Sequence, residues 1–333
     1  MTETISIPEA EALLTAVFER SGLPAVAALS VARALVAAEA EGQAGHGFSR
    51  VADYAAQARS GKVVAAARPH LTERAPAALH IDAGCGFAYP ALDTGIPALI
   101  ARARQTGIAV LTIGNSHHCG ALSVQVERLA EAGLIGLMVA NTPKAIAPHG
   151  GAEALYGTNP IAFATPVAGE APLVIDLSLS AVARGKVMAA QKAGHKIPEG
   201  WALDAAGQPT TDPDAALAGT MVPIGGAKGT ALALMVELLA AALTGSAFSA
   251  EAGSFFTGEG PPPRVGQTLI AIDPGAQGDY AARTAQLCAA ITAQEGARLP
   301  GTRRRAARAR AEAEGLNVPA HLIATARALA TGD

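Results

Sequence analysis

The chain has 333 residues with 25 basic and 28 acidic side chains, a formal charge of −3, and half of it is apolar. This excludes an intrinsically disordered chain, which needs low hydrophobicity and high net charge, and leaves no cationic excess for a nucleic-acid coat. Only 16% of residues are charged and 4% aromatic, so small side chains must supply much of the core, in close-packed helices with a large buried interface.

In chain order, two helices fill Pro8 to Glu41, broken at Gly22-Leu23-Pro24, with the second running from Ala25. The apolar spacing of Leu13, Leu14, Val17 and Phe18 is helical. A glycine-rich loop, Gly42 to Gly47, leads to a third helix at Arg50 to Arg59. From Leu79 the pattern becomes α/β. Strands are expected at Leu79–Asp82, Ile108–Ile113, Ile135–Asn141, Ile161–Thr165 and Leu173–Leu177, and helices at Ala91–Gln105 and Ala121–Ala132. Turn chemistry dominates Gly194 to Pro223. A long helix follows at Lys228–Leu243, then a strand at Leu269–Asp273 and helices at Ala281–Ala293, Arg303–Glu314 and Pro319–Leu329.

Three scattered cysteines, Cys85, Cys119 and Cys288, make no disulfide framework or paired zinc spacing, which places the chain in a reducing cytoplasm. The start is acidic and lacks the basic, apolar pattern of a signal peptide. The most apolar run, Ala231 to Leu243, contains Glu237 and is too short to span a bilayer. No membrane or nucleic-acid partner is therefore expected.

Several segments carry chemistry, and each has a plainer reading. Gly84-Cys85-Gly86 follows a strand, but Tyr89 replaces the third glycine of a dinucleotide turn and no ribose-binding acid follows the next strand. A tight turn is the better reading. Gly225-Gly226-Ala227-Lys228-Gly229-Thr230 lacks the spacing of a phosphate loop, although its free N–H groups and lysine at a helix start suit an anion. His117, His118, Cys119 and His149 invite a zinc reading, yet adjacent histidines point in different directions and no metal motif supports them. No metal is expected. Hydrogen-bonding histidines in a strand-end loop fit better.

Gly45-His46-Gly47-Phe48-Ser49-Arg50 sets an imidazole between glycines, with a guanidinium four residues on. The first suits proton transfer and the second a carboxylate clamp. The plain alternative is a surface loop followed by a helical arginine. Thr158-Asn159-Pro160 and Asp176-Leu177-Ser178 place hydrogen-bonding groups at strand ends. Arg298, Arg303, Arg304 and Arg305 concentrate positive charge around Pro300-Gly301, as either a solvated helix face or a phosphate patch.

The ordered segments GHGFSR (45–50), GNSHHCGAL (114–122), APHGGAEALYGTNPIAFATP (147–166), VIDLSLSAVARGKV (174–187), GWALDAAGQPTTDP (200–213) and PIGGAKGTALALMVELLAAALTG (223–245) cover nearly the whole chain. Together they resemble the type-2 malate/L-lactate dehydrogenase family, whose nicotinamide site is not of the Rossmann kind. The finer likeness, in NSHHCGAL and RLPGTRRR, is to the Δ1-piperideine-2-carboxylate/Δ1-pyrroline-2-carboxylate reductases.

The resemblance implies an α/β fold in which a mixed-sheet NADP-binding domain joins a helical domain built from the N- and C-terminal segments. The corresponding division is 1–75 for the helical N-terminal part, 76–250 for the cofactor domain, and 251–333 for a segment packing back on the N-terminal part. It implies NADPH as cofactor, with NADH weaker, a homodimer, and reduction of a cyclic imino acid to L-proline or L-pipecolate. The alternative substrate is an open-chain malate-, lactate- or ureidoglycolate-type acid. By the same resemblance His46 is the proton donor and Arg50 holds the substrate carboxylate, while Thr158 lies at the substrate. His118, Cys119, Gly120, Ala121 and Leu122 follow the cofactor. Asp176, Leu177 and Ser178 line its nicotinamide side, Ala227 and Lys228 its adenine half, and Arg298, Arg303 and Arg304 its phosphates.

Two positions depart from the imino-acid reductases. Gly45 stands where they have a serine, and Lys186 where they have an acid, the two residues that relay charge to the histidine. Neither can do so here, so other groups or water must orient His46. Lys186 itself resembles the wider dehydrogenase family. A binding protein without catalysis, or a metal hydrolase using the histidines, would instead show no NADPH binding or sensitivity to chelators.

Overall fold

The computed structural model describes residues 1–275 and 279–332. In chain order its elements are β1 (Thr2–Ile5), α1 (Ile7–Arg20), α2 (Ala25–Ala40), α3 (Val51–Arg59), β2 (His70–Ala75), β3 (Ala78–Asp82), α4 (Ala88–Thr106) and β4 (Ile108–Ser116). Next come α5 (Leu122–Glu131), β5 (Ile135–Ala140), β6 (Ile161–Val167), β7 (Glu170–Leu177) and α6 (Arg184–Lys192). Then follow β8 (Ala202–Leu203), β9 (Pro209–Thr210), α7 (Pro213–Ala218), β10 (Thr220–Met221) and α8 (Ala227–Glu237). The chain closes with β11 (Val265–Ile272), α9 (Tyr280–Thr292), α10 (Thr302–Glu314), β12 (Leu316–Pro319) and α11 (Ala320–Thr331).

The main sheet has seven strands in the order β2-β3-β4-β11-β5-β6-β7. Only β3 and β4 run parallel, joined by the crossover helix α4, and the other neighbours are antiparallel. This mixed α/β sheet differs from the parallel sheet of a Rossmann fold. Helices α4 and α5 cover it, burying Leu92, Leu99, Val126 and Leu129 against Ile81, Leu111 and Leu269. Gly84 to Gly86 form a turn after β3, and a Cβ on Gly86 would meet Ala67 at 2.6 Å, so that glycine serves packing.

The N- and C-terminal segments share a second core. Leu14, Phe18, Leu35 and Tyr54 are buried with Leu316, Val318 and Ile323, and β1 pairs with β12 antiparallel from Thr2↔Pro319 to Ile5↔Leu316. Helix α1 begins with a capping box in which the Glu9 N–H donates to Ser6 Oγ and the Ser6 N–H donates back to Glu9. Strand β11 falls in the stretch 251–333 yet lies at the centre of the main sheet; α10 to α11 are the part that returns to the N-terminal helices.

The structure adds elements that periodicity did not mark. Edge strand β2 is half exposed and mostly polar, so no apolar alternation announces it. Strands β8, β9 and β10 have two residues each, too few to show a period. They form a small sheet inside the turn-rich stretch 194–223. The long helix expected to Leu243 is α-helical only to Glu237 and continues as a π turn, Leu238–Ala242.

Candidate active site

The site gathers beyond the carboxyl ends of the parallel strands β3 and β4, where the loop 117–121 leaves the sheet. His46 ends a 3-10 turn, Ala44–His46. That turn is anchored from behind, because the Glu39 carboxylate accepts the Phe48 N–H at 2.8 Å. Gly47 allows this: a Cβ there would lie 2.1 Å from a Glu39 oxygen. Burial first, and the nearby Arg50 guanidinium second, push the His46 imidazole down to a pKa of about 4. Its Nδ1 is buried with no hydrogen-bond partner among the described residues.

The His46 ring stacks on His118, with centroids 5.1 Å apart and planes 21° from parallel. His118 Nδ1 lies 2.5 Å from the Tyr54 hydroxyl, which lies 3.2 Å from the Tyr89 hydroxyl. Burial holds the His118 imidazole well below its ordinary range and raises the Tyr54 and Tyr89 phenols. Arg50 is 3.4 Å from Asp53 and its guanidinium sits 4.9 Å from the Phe256 ring centroid. His46, Arg50 and His118 are thus brought together, although the sequence reading set His118 apart on the cofactor loop.

His117 does something else. Its Nε2 is 2.7 Å from Gln57 Oε1, and it is buried among Tyr54, Phe87 and Phe255 with a pKa pushed down to about 3 by that burial. It is a hydrogen-bonded core histidine. Among the described residues no group of three or more His, Cys, Asp or Glu side chains is arranged to hold a metal ion.

The loop after His118 leads to a second cluster. Burial raises the Cys119 thiol to about 12, with the neighbouring Asp176 charge adding to it. Gly120 has φ +68°, and a Cβ on it would meet the Tyr89 hydroxyl at 2.7 Å. Ala121 precedes α5, and Leu122 opens it. The Ser123 N–H donates to Asp176 at 2.8 Å, so the carboxylate at the end of β7 occupies the positive end of α5.

Asp176 and Leu177 share a cleft of about 550 Å³ with Arg298, Arg303, Arg304 and Gln43. Two segments far apart in the chain therefore meet at this cleft. Arg304 Nη1 lies 3.3 Å from the buried Glu41 carboxylate, yet no hydrogen bond satisfies that buried nitrogen. The arginines lining the cleft, Arg298, Arg303 and Arg304, give it a cationic wall that fits a phosphate-bearing cofactor. Glu41 also pairs with Arg308, which bridges to Glu127, and it accepts from Gln43 Nε2 at 2.9 Å.

Thr158 and Ser178 adjoin each other, since Ser178 Oγ donates to the Thr158 carbonyl at 3.4 Å and the Thr158 N–H donates to Thr142 Oγ1 at 2.9 Å. No described contact joins Thr158 to His46. Ala227 and Lys228 are exposed at the start of α8, and no described contact joins them to the cleft. Lys186 is exposed on α6 and Gly45 is exposed beside His46.

The sequence did not single out Tyr54, Tyr89, Glu41 or Gln43. Tyr54 had a usable signal, one helical turn beyond Arg50. The Glu41 pairings join distant parts of the chain and leave no local trace.

A family model described as malate/L-lactate dehydrogenase matches residues 5–326. A (2R)-3-sulfolactate dehydrogenase (NADP(+)) of Chromohalobacter salexigens is 54% identical over 331 residues, covering 99% of each chain. A Δ1-pyrroline-2-carboxylate/Δ1-piperideine-2-carboxylate reductase of Pseudomonas putida is 44% identical, covering 94% of this chain and 93% of its own. The crystal structure of Δ1-piperideine-2-carboxylate reductase from Pseudomonas syringae superposes with a TM-score of 0.94 at 40% identity, covering 98% of this chain and 100% of that one. The chain belongs to the malate/L-lactate dehydrogenase family and is a nicotinamide-dependent oxidoreductase.

Proposed function

We propose that the protein is an NADP-dependent dehydrogenase of open-chain 2-hydroxy acids bearing a second anionic group, with 3-sulfolactate as the substrate to test first. The observation that carries this reading is a neutral His46 beside Arg50 in a site without the serine and acid of the imino-acid reductases. With a pKa near 4 the imidazole is unprotonated at neutral pH, the form that accepts a hydroxyl proton. The 54% identity to a sulfolactate dehydrogenase supports the same substrate.

In this account Arg50 holds the carboxylate through paired N–H donors. The hydroxyl proton passes to His46 as the C2 hydride leaves, giving the 2-oxo acid. A bound nicotinamide supplies the hydride acceptor. Lys192, at the end of α6, acts electrostatically on Asp53 beside Arg50. That neighbourhood offers a second cation to a dianionic substrate. Arg298, Arg303 and Arg304 would hold the phosphates and favour NADP over NAD.

Reduction of NADP+ by 3-sulfolactate or malate tests the reading; turnover of neither refutes it.

The second reading is reduction of a cyclic imino acid, favoured by the TM-score of 0.94 to a piperideine-2-carboxylate reductase. It requires His46 to deliver a proton to nitrogen, directly or through water, against the effect of burial. NADPH consumption with Δ1-pyrroline-2-carboxylate tests it.

We also assign a homodimer contact to the exposed apolar side chains Leu234, Met235, Leu238 and Leu243. Sedimentation at the monomer mass of 33.3 kDa would contradict this.

A further inference from the structure

We propose that His118, fixed by the hydroxyl chain Tyr89–Tyr54, orients the His46 ring by stacking, in place of the serine and acid this chain lacks. The inference rests on His46 as the proton-exchanging group. Tyr54 and Tyr89 are then positioning residues, acting through His118.

A catalytic imidazole is ordinarily fixed by a hydrogen bond to the nitrogen that does not react. His46 has none: its Nδ1 is buried without a partner among the described residues, Gly45 has no side chain, and Lys186 is exposed on α6. What the ring does have is a near-parallel neighbour at 5.1 Å. Stacking can hold an orientation only if the neighbour is itself held, and His118 is held on two sides. Tyr54 Oη lies 2.5 Å from its Nδ1, and the Phe255 ring packs on it at 5.0 Å.

The proton count couples the two links, and we take the chain to run from Tyr89. Each hydroxyl has one proton, so if Tyr89 donates to Tyr54, Tyr54 donates to His118 Nδ1. His118 then carries its own proton on Nε2. The raised phenol pKa values keep both donors protonated. Both tyrosines stand on helices. Tyr54, on α3, is wholly buried and braced by Phe87 at 5.1 Å, and Tyr89, on α4, is 2% exposed. The orientation of His46 is thus referred to two helices and not to its own glycine-flanked loop.

The test is Tyr54→Phe, which removes one hydroxyl and keeps the ring, read by histidine-ring 15N and 1H NMR on substrate-free protein and by kcat. The wild type should show His118 as the Nε2–H tautomer, with a nuclear Overhauser effect between the His46 and His118 rings. The variant should mix tautomers, lose that effect, and lose about 10-fold in kcat, with KM for the cofactor within about twofold. Tyr89→Phe should mix the tautomers less, and it serves if Tyr54→Phe does not fold. Unchanged ring signals in the variant overturn the proposal, as does a full kcat beside altered rings. The ring signals need no substrate, so they stand apart from any failure of the proposed reaction.

Discussion

The wholly buried Glu41 carboxylate lies 3.3 Å from Arg304 Nη1, tying the end of α2 to the first turn of α10 at the rim of the cleft. It compensates Arg304 from behind without giving that nitrogen a hydrogen bond. Arg304 also lines the cleft, beside Arg303. Arg304→Ala and Arg303→Ala should each raise KM for NADPH at least about 10-fold more than KM for NADH, because the extra phosphate is what an arginine there recognises. Equal losses with both cofactors would remove these residues from that role.

Glu41 also bears on stability. Removing one partner of a buried ion cluster leaves uncompensated charge and costs about 3–5 kcal/mol. Glu41→Ala should lose stability of that order by urea denaturation, since it strips Arg304 of its carboxylate and leaves Arg308 with Glu127 alone. A loss under about 1 kcal/mol would mean that solvent takes over their hydration.

His46→Ala should reduce turnover at least ~100-fold, the size of a positioned proton-transfer group. Cofactor binding, followed by quenching of protein fluorescence, should be unchanged. A near-normal rate would free His46 from its assigned part.

Gly120→Ala meets two obstacles. Ala at φ +68° costs roughly 1–2 kcal/mol, and its Cβ would lie 2.7 Å from the Tyr89 hydroxyl. We expect a lower Tm and reduced kcat together, measured by calorimetry and steady-state assay. A variant with wild-type values in both would show that the loop 117–121 yields without consequence.

Acid should destabilise the fold through its buried histidines. The folded pKa values of His46 and His117, about 4 and about 3, lie below the ordinary 6.5. Between those limits the unfolded chain binds more protons, so stability rises with pH across the window and falls as pH drops from 6.5 towards 4. Each ring contributes at most ~1.4 kcal/mol per pH unit. Denaturation at pH 7 and pH 5 should show the fall, and His117→Gln should make it shallower. An unchanged slope would contradict a neutral, buried His117.

Much of this was legible in the sequence because the carriers are local. His46 and Arg50 share one loop, and the helical and strand runs from Leu79 to Leu177 have clear periods. The mixed character of the sheet was not locally legible, since β11 inserts between β4 and β5 from far along the chain. The resemblance supplied it instead. The turn-rich stretch 194–223 concealed strands too short to have a period. Tyr54, Tyr89 and Glu41 went unmarked because a buried tyrosine or a helix-end glutamate has an ordinary structural use, and only their partners distinguish them.

Substrate class is decided by the ratio of kcat/KM for 3-sulfolactate with NADP+ to kcat/KM for Δ1-pyrroline-2-carboxylate with NADPH. The hydroxy acid should be favoured by at least about 100-fold, the discrimination expected when a charge-bearing site meets its matching anion. A ratio below one, with the cyclic imine preferred, would contradict it.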